Sequence, residues 1–178
     1  LEWNMLPDFT GKLAQYGLNP DRREKSGVRA AIIREKGTNG EREMAYMLYL
    51  AGFDVKDVMM TDLITGRETL DDINFIVFCG GFSNSDVLGS AKGWAGAFLY
   101  NDKAKEALDR FYARPDTLSL GVCNGCQLMV ELGLVGKVAD NNCGKAKMLH
   151  NDSHKFESNF VGVTVQTNRS VLMGSLSG

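Results

Sequence analysis

Three short apolar runs, each emptying into a loop that bears glycine, constrain this chain more than any other feature. Val28-Arg-Ala-Ala-Ile-Ile33 leads to Gly37-Thr-Asn39, and Asn74-Phe-Ile-Val-Phe-Cys79 leads to Gly80-Gly-Phe-Ser-Asn-Ser-Asp86. Leu118-Ser-Leu-Gly-Val122 leads to Cys123-Asn-Gly-Cys-Gln127. Short apolar runs that do not alternate suit strands covered on both faces. Helical patterns separate them. Met44, Met47, Leu48 and Ala51 recur at helical spacing, with Asn39 expected as the N-cap and Gly52 as the stop. Glu41 and Glu43 place negative charge in the first turn, where it suits the helix dipole. A mostly helical region is expected from about 91 to 113, and another helix from Asn124 to Leu132. Phe53 to Val58 alternates with period two, as does Phe160 to Val165, which is expected as an antiparallel strand. The alternation of strand and helix predicts βαβ units, hence an α/β fold with a mostly parallel central sheet and helices on both faces. Ligands bind such sheets beyond the carboxyl ends of the strands, where the three glycine loops would meet.

Composition narrows the partners. Twenty Lys and Arg against twenty-two Asp and Glu give a formal net charge of -2. That balance supplies no broad cationic face, which argues against nucleic acid and against an anionic membrane surface. No apolar run approaches the roughly 18 residues of a membrane-spanning helix. Four cysteines are too few for a disulfide scaffold, so a reducing, cytoplasmic compartment is expected. Ahead of Val28, Pro7, Gly11, Gly17 and Pro20 interrupt any amphipathic pattern, and residues 21–27 are polar and charged. Residues 1–27 are expected to be a linker or the tail of an upstream region, with short helical pieces around Asp8 to Tyr16. Residues 28–178 are expected to form the functional domain.

The chemistry concentrates at Leu118 to Gln127. A strand of small and apolar residues runs directly into Cys123 and then into a helix, with Gly121 and Gly125 on either side. A nucleophile on so sharp a turn stands where a substrate reaches it, and glycines are needed there because side chains would collide with backbone. The helix N-terminus aims its amides at the sulfur, and the amide of Asn124 can donate to a developing oxyanion. Two other readings of these cysteines exist. Cys123 and Cys126 form a C-x-x-C pair, suited to dithiol redox chemistry or, with Cys143, His150 and His154, to zinc. No second C-x-x-C pair supports the metal reading. Cys126 is expected to pack beneath the turn, and Cys79 to be an inert buried thiol. Gly80-Gly81 lets backbone approach a ligand closely, but no Lys-Ser/Thr pair follows and the G-x-G-x-x-G spacing is missing, so phosphate-loop patterns fail.

Gly121-Val-Cys-Asn-Gly-Cys-Gln127 resembles the G-x-C-x-G-x-Q elbow of the triad-type (class I) glutamine amidotransferases. Ile33-Arg-Glu-Lys-Gly37, Cys79-Gly-Gly-Phe-Ser83, Asp86-Val-Leu-Gly89 and Gly93-Trp-Ala95 narrow the likeness. Over about residues 28 to 165 the chain is similar to the glutaminase domain of the phosphoribosylformylglycinamidine synthase family, in its large single-chain form. The resemblance implies a flavodoxin-like three-layer fold. It implies that Cys123 attacks the side-chain amide of glutamine, forming a thioester and releasing ammonia. Amides of Gly81 (or Gly80) and Asn124 would form the oxyanion hole, and Gln127 and Gly80 would help hold glutamine. It further implies a covalently linked synthetase region that uses ATP and Mg to form an amidine in purine biosynthesis, with no cofactor or metal in the glutaminase domain itself. Two departures stand out. The family loop reads Gly-Gly-Phe-Ser-Tyr-Gly-Asp, whereas Asn84 and Ser85 replace Tyr-Gly here. The family's His base and its acidic partner lie in a Ser-His-Gly-Glu type motif beyond the stretch matching Phe156-Glu157, and neither His150 nor His154 matches it. The triad His and Glu are therefore expected to be absent from these 178 residues, and the domain to be truncated at its C-terminal end. A related amidotransferase with another acceptor, or a non-catalytic module binding a small molecule, are the alternatives.

Overall fold

A computed structural model of the chain describes residues 11–135, 146–167 and 170–174. The chain divides into two units, 1–148 and 149–178. The first is built on four parallel strands: β1 (Arg29–Arg34), β3 (Asp54–Met59), β4 (Phe75–Phe78) and β6 (Leu118–Gly121). They lie in the order β3-β1-β4-β6, with Ala30 opposite both Val55 and Phe75, and Phe78 opposite Gly121. A second, antiparallel pair joins β2 (Thr38–Asn39) to β5 (Gly80–Gly81). The helices are α1 (Glu41–Leu50), α2 (Met60–Thr65), α3 (Lys92–Leu99), α4 (Asp102–Ala113) and α5 (Asn124–Glu131). Among the parallel strands alone the order is second, first, third, fourth, which is the flavodoxin-like arrangement expected from the sequence. The direction of winding reverses between β1 and β4, and the loops leaving those two strands are the ones that pair through β2 and β5.

The two-residue period of the strands divides the core in two. Ala31, Ile33, Ile76 and Phe78 face a layer built from α2, α3, α4 and α5, whereas Ala30, Ile32, Phe75 and Val77 face Leu48 of α1. Phe78 is fully buried and meets Trp94 and Phe98 edge to face, with centroids 5.9 and 6.1 Å away. Burial of a ring this size contributes about 1.5–3 kcal/mol, so β4 is anchored where it leads into the glycine loop.

Several local expectations shift. Asn39 does not cap α1, because its backbone is taken by the ladder to Gly80, and Gly40 at φ +82° turns the chain into the helix instead. Met47 points outward at 54% exposure, and Leu50 is buried in its stead. The region from 91 to 113 is two helices, since the Asn101 side chain accepts the Ala104 N–H at 3.0 Å and starts α4 afresh. The short helix α2 carries a signal that sequence reading missed: Asp62 in its first turn accepts the Met59 N–H at 3.0 Å, and Gly66 closes it. In the second unit the described residues form turns, and Phe160 to Val165 is largely exposed and forms no strand. Alternation makes a strand only where a neighbour supplies the ladder, and no described residue of this unit does.

Residues 22–27 are stitched to the start of β3. The expected helical piece is a single 3-10 turn at Leu13–Tyr16, and Asp8 to Thr10 lie outside the described residues. Arg22 donates to the carbonyl of Phe53 at 2.6 Å and to Asp54 at 3.2 Å, and its guanidinium lies 4.8 Å from the Tyr49 ring centre. Asp54 also accepts the amides of Gly27 and Ser26 at 2.9 and 3.1 Å. The Gly27 amide, then that of Ser26 and the Arg22 guanidinium, hold the Asp54 carboxyl below the usual carboxylate range. A lowered folded value stabilises the fold above the unfolded pKa of about 3.9, and that contribution is lost as pH falls through the folded value. Asp54→Asn is therefore expected to lower the melting temperature near pH 7, with the difference from wild type closing as pH falls through the lowered folded value. Melting curves across that range check it.

Candidate active site

The site is an elbow between β6 and α5. Val122 donates its N–H to Phe78 O at 3.0 Å, Cys123 then turns the chain at φ +53° and ψ -111°, and α5 begins at Asn124. A cysteine at positive φ costs about 1–3 kcal/mol and persists only where its surroundings over-determine it. Gly125 supplies that constraint. A Cβ on it would lie 2.0 Å from Phe78 O, so only glycine lets the first turn of α5 rest on the end of β4. The Gly125 N–H returns to Val122 O at 2.8 Å and the Gln127 N–H to Cys123 O at 3.1 Å, closing the turn on both sides of the cysteine.

Cys123 is exposed, and the next loop lies against it: a Cβ on Gly80 would stand 3.1 Å from Cys123 Cβ and 3.8 Å from its sulfur. Gly81 follows at φ +102°, where a Cβ would meet Asn39 N at 2.7 Å, so β2 packs flush on the glycine pair. The Phe82 N–H donates to Gly37 O at 2.9 Å and the Asn84 N–H to Lys36 O at 2.7 Å, knitting together the loops after β1 and β4. The predicted site residues Gly80, Gly81, Cys123, Asn124 and Gln127 thus come from two loops that converge beyond the carboxyl ends of β4 and β6. The amide of Asn124 opens α5 and has no carbonyl behind it in the helix.

A polar bridge that sequence reading missed joins the two loops. Asn124, 1% exposed, accepts at Oδ1 from both the Ser83 N–H (3.1 Å) and the Ser83 hydroxyl (2.6 Å). Its Nδ2 donates to Gln127 Oε1 at 2.9 Å. Both side chains are small and sit in the glycine loops, which is the only trace the bridge leaves in the sequence. Past Ser83 the loop runs left-handed, with φ of +51°, +56° and +48° at Asn84, Ser85 and Asp86. Ser85 stands where the family pattern carries glycine.

The other cysteines differ from Cys123 in burial. Cys79 is buried, and burial pushes its thiol up to about 11, followed by the influence of Glu41. Cys126 is half-buried on the first turn of α5. Among the described residues no three His, Cys, Asp or Glu side chains converge on a metal position, and Cys143 lies outside those residues. His150 and His154 are exposed, and both belong to the second unit. Among the described residues no helix is long and apolar enough to cross a membrane.

Two substitutions test this geometry. Gly125→Ala should cost at least about 1–3 kcal/mol in urea denaturation through the clash with Phe78 O. Ser85→Gly should stabilise by about 1 kcal/mol by relieving the left-handed strain.

Comparison with known proteins agrees with the geometry. The family model of the CobB/CobQ-like glutamine amidotransferase domain matches residues 27–178. The chain is 46% identical over 163 residues to the human phosphoribosylformylglycinamidine synthase, covering 84% of this chain and 12% of that protein. It is 40% identical over 179 residues to the Drosophila melanogaster enzyme of the same name, covering 99% of this chain and 13% of that one. A probable phosphoribosylformylglycinamidine synthase of Arabidopsis thaliana, described as chloroplastic/mitochondrial, is 45% identical over 155 residues, with 84% of this chain and 11% of that protein covered. The chain thus spans only 11 to 13% of the length of these relatives. Among solved structures, PurLQS from Thermotoga maritima superposes with a TM-score of 0.52 at 27% identity, over 71% of this chain and 50% of that one. The chain belongs to the family of CobB/CobQ-like glutamine amidotransferase domains.

Proposed function

We propose that this chain is the glutaminase domain of a phosphoribosylformylglycinamidine synthase and that Cys123 is its nucleophile. The observation that carries the reading is the exposed Cys123 side chain, held at positive φ at the head of α5 and against Gly80. In the proposed first step the Cys123 sulfur bonds to the side-chain carbonyl carbon of glutamine. The carbonyl oxygen takes the negative charge, and amides from Gly81 or Gly80 and from Asn124 donate to it. Fixed backbone donors of this kind are worth about 10²–10³-fold each in rate. Collapse breaks the C–N bond, and the leaving nitrogen takes a proton and departs as ammonia. Water then cleaves the thioester to glutamate and restores the thiol.

The ammonia would serve a synthetase region on the same polypeptide, where ATP with Mg activates an amide oxygen for replacement by nitrogen. The names of the relatives and the small share of their length that this chain spans support that arrangement. A cytoplasmic location is part of the same proposal.

Both proton transfers need an acid–base partner, and the only histidines in the sequence are His150 and His154, neither at the position the family pattern requires. These 178 residues alone are therefore expected to release ammonia from glutamine only very slowly, as an ammonia assay would show; robust turnover would mean that another base serves. In the full-length synthase, Cys123→Ser should lower glutamine-dependent amidine formation by at least about 10³-fold while ammonia-dependent formation continues. Equal loss with both nitrogen donors would remove Cys123 from the glutaminase step.

A further inference from the structure

A backbone N–H only donates, and that fixes the polarity of the bridge between the two loops. The Ser83 N–H is 3.1 Å from one side-chain atom of Asn124, so that atom is the oxygen Oδ1. The Ser83 hydroxyl, 2.6 Å from the same atom, donates to it as well. The other end of the Asn124 amide must then be the NH2 group, which also only donates, so the Gln127 atom 2.9 Å from it is the oxygen Oε1. Gln127 is left with its NH2 group turned away from Asn124. Among the described residues Gln127 Nε2 has no protein acceptor, and it is not among the buried polar atoms that lack one, so solvent reaches it. An unconstrained side-chain amide can turn by half a rotation and offer a ligand either a donor or an acceptor. Here a backbone amide two residues past Gly81 removes the choice. Ser83 and Asn124 are each 1% exposed, so reversing the bridge would leave a buried amide without its acceptor.

We propose that Asn124 is a positioning residue that locks the Gln127 amide with its NH2 group outward, so that this point of the site selects an oxygen acceptor on the ligand. The chemical class is a carboxylate or carbonyl oxygen, and its assignment to glutamine rests on the reading of the preceding subsection. Asn124 acts through Gln127, in addition to any use of its own backbone amide.

Two near-isosteric variants keep the internal hydrogen bonds and remove the outward donor. Gln127→Glu still accepts from Asn124 but has nothing to donate. Asn124→Asp still accepts from Ser83, and it draws the Gln127 NH2 inward to its carboxylate. The probe is a glutamine analogue with a chloroketone in place of the side-chain amide, applied to the whole chain and followed by intact mass. The Cys123 sulfur bonds to the chloromethyl carbon as the C–Cl bond breaks, chloride leaves, and the thiol proton passes to water. Each variant should raise the half-saturating concentration of the chloroketone about tenfold. Alkylation by iodoacetamide, which needs only the thiolate, reports any change the added carboxylate makes in the thiolate fraction, and the limiting chloroketone rate is read relative to it. An unaltered half-saturating concentration in Asn124→Asp would overturn the proposal. Nitrogen-15 spectra of the Gln127 side chain test the lock without any ligand: Asn124→Asp should shift its NH2 resonances as they gain a carboxylate acceptor, and unshifted resonances would overturn the lock. If iodoacetamide labels the wild-type chain and the glutamine analogue does not, glutamine is the wrong ligand and that assignment is overturned, while the spectra still decide the lock.

Discussion

The contact between the first turn of α5 and the end of β4 is the constraint on which the site depends. With no side chain at Gly125, the helix settles directly on the Phe78 carbonyl, at a distance that no Cβ could share. Phe78 is itself held by Trp94 and Phe98 in the larger core, so the seat does not move. A helix fixed this close to a strand end leaves only Val122 and Cys123 between β6 and α5, and Cys123 makes the turn at positive φ. The strain at the cysteine is thus supported by burial elsewhere, a common arrangement at functional sites. The same geometry places Cys123 at the head of α5, and that is what joins packing to chemistry here.

A second constraint ties the two halves of the site together. The loop after β4 is held by the β2–β5 ladder on one side and by the Ser83–Asn124 bridge on the other. Both buried polar side chains have their hydrogen bonds satisfied, and a satisfied buried network rigidifies more than it stabilises. The glycine loop and the Cys123 elbow consequently form one unit, although they are far apart in sequence. Beyond the bridge the left-handed run at Asn84, Ser85 and Asp86 is exposed or half-exposed, and strain accumulates where rigidity ends.

Much of this was legible in the sequence because its causes are local. Buried strands declare themselves as short apolar runs, and the glycines on either side of Cys123 mark a close backbone approach whatever the rest of the fold does. Other features were hidden because their causes are distant. Asn39 has the chemistry of an N-cap, and only the arrival of Gly80 beside it commits its backbone to a ladder. The phase of α1, which turns Met47 outward, depends on where the sheet lies beneath it. Phe160 to Val165 has the alternation of a strand but joins no ladder among the described residues. The side chains of Ser83 and Asn124 carry no pattern of their own, so their bridge became visible only once the two loops were brought together. The family resemblance pointed to the backbone amide of Asn124, and the structure adds a use for its side chain.

The most direct test of the account is the mass of the covalent species formed when the full-length protein carrying this domain is mixed with glutamine and quenched in acid within its first turnover. A glutamyl adduct, glutamine less ammonia, should be found on the peptide containing Cys123, and it should be absent from a Cys123→Ala enzyme. Ammonia released at the wild-type rate with no adduct on that peptide, or with the adduct on another residue, would contradict it.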